Sequence, residues 1–247
     1  MLQLLSNNKS KYIISLQNKK QRLKSGCFLV EGEKNVVELL QSNFKVETVV
    51  VTAQFYEKYQ LLLGQRRMEV LEAEPDQLAR LGTFETNEAA IAVAVSKENK
   101  GLKALENEWV IALDQVRDPG NLGTIIRLAD WYGIKKIVCS ISTTECYNPK
   151  VIAASMGSYT RTDIYYTDLP TWLVKQNTPK FAAIMDGTNA HQIQFPQGGI
   201  LVMGNESNGL STEVLELCEN KLTIPRFGEA ESLNVATATA IFLSEFR

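Results

Sequence analysis

One histidine, His191, is all that 247 residues contain, which leaves a Ser-His-Asp triad or a histidine-rich metal site almost no material. The four cysteines, Cys27, Cys139, Cys146 and Cys218, are scattered and form no C-x-x-C pair. Neither a zinc knuckle nor a disulfide framework is therefore expected, and they read as small apolar residues in a reducing cytosol. No stretch approaches the ~20 apolar residues that span a bilayer, and the start MLQLLSNNKSKY lacks an apolar signal region. A cytoplasmic chain outside the membrane, without a metal, is the expectation. No G-x-G-x-x-G follows any strand-like run, which removes the usual dinucleotide fingerprint. The stretch Gly204–Ser211 nearly spells a P-loop, but Leu210 stands where the lysine should be and Glu206 would repel a phosphate.

Acidic residues are missing locally. From Met1 to Val30 there is no Asp or Glu, while Lys9, Lys11, Lys19, Lys20, Arg22 and Lys24 all fall there. A net charge of −2 does not point to nucleic acid, yet one basic face can supply phosphate contacts where the total does not. With 45% hydrophobic and 22% charged residues the chain can bury an ordinary core.

Two halves separate at Ser96–Asn107, a polar, lysine-rich stretch that reads as a linker between residues 1–95 and 108–247. In the first half, residues 10–25 look helical, Cys27–Val30 looks like a short strand and Glu33–Leu40 has helical periodicity. The β-branched run Val46–Val51 reads as a buried strand, and further signals alternate up to a strand at Ala90–Val95. A small three-layer α/β/α module is expected.

The second half alternates more clearly. Strands are expected at Trp109–Leu113, Lys136–Ser140, Phe181–Met185, Ile200–Met203 and Leu222–Ile224, and helices at Ile125–Trp131 and from Asn148-Pro149 to about Ser158. Ser211 is expected to cap one further helix, and a last helix to begin near Ser232. Strands joined by helical crossovers mean a mainly parallel sheet, with ligands at the carboxyl ends of its strands. Three loops stand at such ends: Asp118–Gly123 with Arg127 beyond it, Gly204–Ser211, and Ile224-Pro225 followed by Glu231–Asn234. Each has a plain structural explanation as turn or cap chemistry; Arg, Glu, Ser and Asn together at strand ends do not.

These residues resemble a known family. Asn121-x-Gly123-x3-Arg127, Gly204-x-Glu206-x2-Gly209-Leu210, and Ile224-Pro225 followed by Ser232-Leu233-Asn234-Val235 are similar in order and spacing to the three motifs of the SpoU/TrmH RNA ribose methyltransferases of the SPOUT superfamily. Asn148-Pro149-Lys150 and Ala154-Ser155-Met156-Gly157 fit between the first two. The first half, through Phe28-Leu29-Val30-Glu31-Gly32, resembles the family's amino-terminal substrate-binding domain, which is similar to ribosomal protein L30e.

The resemblance implies a trefoil-knotted α/β catalytic domain, a homodimer, S-adenosylmethionine as methyl donor and the 2′-hydroxyl of a structured RNA as acceptor, with ribosomal RNA favoured over transfer RNA. It implies a catalytic set of Arg127, Asn121, Glu206, Asn234 and Ser232. Donor contacts are implied at Gly187, Met203, Gly204, Asn205, Gly209, Ile224, Pro225, Ser232, Leu233 and Asn234. RNA would meet Lys19, Lys20, Arg22 and Lys24. Two positions depart from the family pattern: Ala236 stands where serine is frequent, and Glu88-Ala89 replaces a common Gln-Gly pair. A non-catalytic RNA-binding chain, a base methyltransferase and a nucleotide-dependent oxidoreductase are the rival readings.

Overall fold

The computed structural model describes residues 2–246. They divide into two compact units, one running to Glu98 and including Tyr147–Thr160, the other formed by Asn99–Cys146 and the residues from Arg161 onward.

The first unit is built on a five-stranded sheet. Its elements are β1 (Gln3–Leu4), α1 (Asn7–Ser15), α2 (Lys19–Ser25), β2 (Cys27–Glu31), α3 (Glu33–Gln41), β3 (Val46–Val51), α4 (Ala53–Gly64), β4 (Glu69–Glu72), α5 (Pro75–Leu81) and β5 (Ala90–Val95). The strand order is β1-β4-β3-β5-β2, with β5 antiparallel to both neighbours. Alternate residues Cys27, Leu29, Val50, Leu71, Ile91 and Val93 share a core with Ile13 and Leu16 near α1 and Leu78 and Leu81 of α5. Each such side chain contributes roughly 1.5–3 kcal/mol on burial.

The single helix expected over residues 10–25 is two. Leu16 closes α1, and the side chain of Asn18 caps α2 by accepting from the Lys20 N–H at 2.8 Å. Arg22, expected at an RNA surface, is instead 6% exposed. Its Nη1 donates to the carbonyls of Leu16 at 2.9 Å and Gln17 at 2.7 Å, satisfying backbone acceptors that the end of a helix leaves open. Lys19, Lys20 and Lys24 are exposed.

The second unit holds a six-stranded, all-parallel sheet. Its elements begin with β6 (Trp109–Leu113), α6 (Pro119–Trp131) and β7 (Lys136–Ser140). The chain then contributes α7 (Pro149–Ser155) to the first unit, where Tyr147 lies 4.4 Å from Phe28, ring to ring, and Tyr159 lies 5.6 Å from Phe44. It continues through β8 (Asp163–Thr167), α8 (Leu169–Val174), β9 (Lys180–Asn189), β10 (Gly199–Met203), α9 (Thr212–Glu216), β11 (Asn220–Thr223) and α10 (Val235–Glu245). β1, β8 and α8 have no counterpart in the sequence-based expectation.

Residues 96–107 carry no helix or strand. From Asn99 they are nonetheless held by the second unit: Asn99 exchanges two 2.8 Å hydrogen bonds with the backbone of Tyr166, and the Trp172 indole donates to the Leu102 carbonyl at 2.7 Å.

The strand order β11-β9-β10-β6-β7-β8 places the site. From β6 the chain moves outward to β7 and β8, then returns to lay β9, β10 and β11 on the other side. The reversal falls between β6 and β10, and an open parallel sheet has its crevice outside the carboxyl ends of the strands at such a point. All five residues of β10 are buried, as are the last four of β6.

Candidate functional site

Two of the singled-out loops leave β6 and β10 at this reversal. After β6, Asp118 caps α6 by accepting from the Asn121 N–H at 2.8 Å, and Pro119 takes the first helical position. The helix thus begins earlier than the Ile125 expected. Arg127 is its ninth residue, in the third turn.

After β10, the chain turns back at Gly204–Gly209. A Cβ on Gly204 would overlap the Gly209–Leu210 peptide, so only glycine permits this approach. Asn205 pins the turn: its Oδ1 accepts from the N–H groups of Ser207 and Asn208 at 3.0 Å, and its Nδ2 donates to the Gln115 carbonyl at 2.8 Å. Expected as a donor contact, the Asn205 side chain is already engaged in joining two loops. Ser211 stands at the N-cap of α9 without a side-chain cap bond; its N–H donates to the buried carboxylate of Asp114 at 2.8 Å.

The third segment enters through α10. Asn234, rather than Ser232, is its N-cap: Oδ1 accepts from the N–H groups of Ala236 at 2.9 Å and Thr237 at 3.2 Å. That leaves Nδ2 to donate to Asn121 Oδ1 at 2.8 Å, while Asn121 Nδ2 donates to Glu206 Oε1 at 2.9 Å. Glu206 Oε1 also faces the Asp118 N–H at 3.4 Å. One chain of side-chain hydrogen bonds, Asn234 to Asn121 to Glu206, therefore links all three segments. Each amide has its orientation dictated by its neighbours, because Asn234 must accept at its cap and Glu206 can only accept.

The remaining site residues are placed as follows. Ser232 is exposed, with no side-chain partner among the described residues. Arg127 is likewise exposed and pairs with none of them. Met203 is buried at the end of β10, Ile224 and Pro225 are half-buried just past β11, and Leu233 is exposed. Gly187 lies in β9 where the pairing with β11 slips between Lys221 and Leu222, and a Cβ there would meet the Lys221–Leu222 peptide at 2.7 Å.

Asp114 and Gln115 were not singled out from sequence. Gln115 has φ 59°, a strained value for a residue with a side chain. Its N–H donates to Ser140 Oγ at 2.8 Å. A lone Asp-Gln pair after a strand carries no signal by itself; the partners Ser140, Asn205 and Ser211 lie far along the chain.

No group of three or more His, Cys, Asp or Glu among the described residues could hold a metal ion. Close backbone approach at Gly187 and Gly204, with apolar Met203, Leu210 and Ile224, suits an adenosyl group with an amino-acid tail.

Residues 108–244 match the SpoU rRNA Methylase family, and residues 7–92 match the MRM3-like substrate binding domain. The chain is 32% identical over 245 residues to the 23S rRNA (guanosine(2553)-2′-O)-methyltransferase RlmP of Bacillus subtilis, covering 98% of this chain and 96% of that one. An AdoMet-bound rRNA methyltransferase from Sinorhizobium meliloti superposes with a TM-score of 0.89 at 30% identity, over 100% of this chain and 96% of that one. The SpoU methyltransferase AviRb of Streptomyces viridochromogenes, in complex with AdoMet, gives 0.87 at 26% identity, over 98% and 97%.

Proposed function

The chain belongs to the SpoU rRNA methylase family, and on that premise we propose that it moves a methyl group from S-adenosylmethionine to a ribose 2′-oxygen of ribosomal RNA. The observation that carries this reading is the Asn234–Asn121–Glu206 chain at the sheet reversal. Bound S-adenosylmethionine supplies an electrophilic methyl on a sulfonium. Backbone groups near Gly187, Gly204, Ile224 and Leu233 would hold it, with Met203, Gly209 and Pro225 around them.

The protein's part is to orient the ribose and raise the nucleophilicity of its hydroxyl. Holding two reactants in line can contribute on the order of 7–11 kcal/mol. Arg127 stabilises the developing alkoxide and grips the adjacent phosphate, whose oxygen accepts the proton; a guanidinium itself stays protonated. Asn121, fixed by Glu206 and Asn234, orients the acceptor, with Ser232, two residues before Asn234, in support.

Helix geometry supports a homodimer. At about 100° and 1.5 Å per residue, the six steps from Asn121 to Arg127 turn the side chain by about 240° and advance it about 9 Å. Arg127 thus points away from the Asn121 of its own chain, which fits the service to a second copy's site that the family resemblance implies. Trp131, one turn further along the Arg127 face, is 83% exposed, and such an apolar surface suits contact between subunits. The trefoil knot, the cytoplasmic location and RNA capture by Lys19, Lys20 and Lys24 belong to the same reading.

The test is transfer of isotopically labelled methyl from S-adenosylmethionine to ribosomal RNA from cells lacking the protein, with nucleosides resolved by mass spectrometry. A 2′-O-methyl nucleoside that disappears with Arg127→Ala is the expected result. Label on a base, or none, would overturn it.

A further inference from the structure

Glu206 and Asp118 bring two carboxylates to the mouth of the site, both accepting from Asn121. An RNA strand must bring its phosphates against that acidic rim, and Arg127 of the same chain is turned away from it. The loop that carries Asp118 also carries a cation, Arg117.

The loop that carries it is tied down at every residue but this one. Asp114 accepts from the Ser211 N–H at 2.8 Å. The Gln115 N–H donates to Ser140 Oγ and its carbonyl accepts from Asn205, both at 2.8 Å. The Val116 carbonyl accepts from the Thr144 N–H at 2.9 Å, and the Asp118 N–H faces Glu206 at 3.4 Å. Arg117 is exposed, and among the described residues its guanidinium meets only Gln115 Oε1, at 3.4 Å. Gln115, at φ 59°, and Asp118 are both bonded to the Glu206 loop, and Arg117 stands exposed between them.

We propose that Arg117 grips an RNA phosphate next to the target ribose, offsetting Glu206 and Asp118 and setting the strand in register with Asn121. This rests on the methyltransferase reading above. A planar guanidinium takes two phosphate oxygens at once, which fixes direction as well as distance. Its loop is rigid before RNA arrives, so little ordering entropy opposes the contact.

The test compares the full chain with Arg117→Gln and Arg117→Lys, with Lys175→Gln as an exposed-cation control in the same unit. Binding to protein-free ribosomal RNA is measured across a salt series, together with S-adenosylmethionine affinity and methyl transfer. Losing one phosphate contact reduces the slope of log affinity against log salt by about one. Arg117→Gln is expected to show that reduction and a roughly tenfold higher KM for RNA, with donor affinity unchanged and melting temperature retained. Arg117→Lys should restore the slope but not the full KM, since an ammonium lacks the fork. An unchanged slope, a change equal to that of Lys175→Gln, or weakened donor affinity in place of RNA affinity would overturn the proposal. If the wild-type chain transfers no methyl to ribose, the reaction is refuted, while the salt slope still decides the role of Arg117.

Discussion

Asn234 donates its side-chain amide to the side-chain oxygen of Asn121 across 113 positions of sequence, at 2.8 Å, while its own oxygen caps α10. One residue therefore serves a helix end and a hydrogen-bonded chain, and the two roles separate by substitution. Asn234→Asp keeps the cap acceptor but loses the donor, so Asn121 would face carboxylates on both sides. Its melting temperature should stay near wild type while kcat falls tenfold to a hundredfold. Asn234→Ala should lose kcat and also about 1 kcal/mol of stability. Thermal denaturation beside single-turnover methyl transfer reads both, and equal stability losses in the two variants would refute the separation.

Arg127 has no partner among the described residues, so Arg127→Ala should change stability by less than about 0.5 kcal/mol while abolishing turnover. If Arg127 serves a second copy, mixing inactive Arg127→Ala with inactive Asn121→Ala should regain activity. About half the dimers would be mixed with one intact site each, giving about a quarter of wild-type activity. A mixture as inactive as its components would mean that each chain uses its own arginine.

The four cysteines are all buried. Burial pushes the Cys218 thiol up to about 12 and that of Cys139 well above the usual range. Because the thiolate is the reacting form, the native chain should resist a thiol reagent at pH 8 and take up four equivalents only in denaturant. Rapid labelling of Cys139 or Cys218 in the native state would contradict their placement.

Glu69 of β4 pairs with Lys9 of α1 at 2.5 Å and accepts from Thr48 at 3.0 Å. The hydrogen bond from Lys9 comes first among the causes that hold its carboxyl below the ordinary range, and that from Thr48 adds to it. A carboxyl depressed in the folded state binds fewer protons there than when unfolded. Its contribution is therefore present above the usual carboxylate pKa and is lost as pH falls through the folded value. Glu69→Gln should cost less than about 1 kcal/mol at pH 7, given its exposure, and nothing once wild-type Glu69 is protonated. A cost unchanged between pH 7 and pH 2.5 would refute the pairing as its origin.

Elements with dense local information were legible in the sequence. Val46–Val51 is β-branched in five of its six residues and forms β3 over the expected range, and Val36, Leu39 and Leu40 mark the buried face of α3. Asp163–Thr167 was not legible: at the sheet edge its residues are half-exposed or exposed, which erases any apolar run. The six-residue α8 is too short for its periodicity to register. Ser232 and Asn234 are equally good caps locally, and Asn121 of α6 distinguishes them. Arg22 looked like surface charge on a basic helix because the two carbonyls that hold it belong to the neighbouring turn. Sequence spacing assembled the loops of the site; the lateral ties from Asp114, Gln115 and Asn205 depend on strand order.

Asn99 takes up both the N–H and the C=O of Tyr166 on β8. β8 ends the six-stranded sheet on one side, and a bare outer strand is a template on which further chains can add. With a side-chain amide occupying that template, an incoming strand must first displace Asn99. Growth of cross-β aggregates from this side is thus opposed by Asn99, and Asn99→Ala removes both of its bonds to the strand.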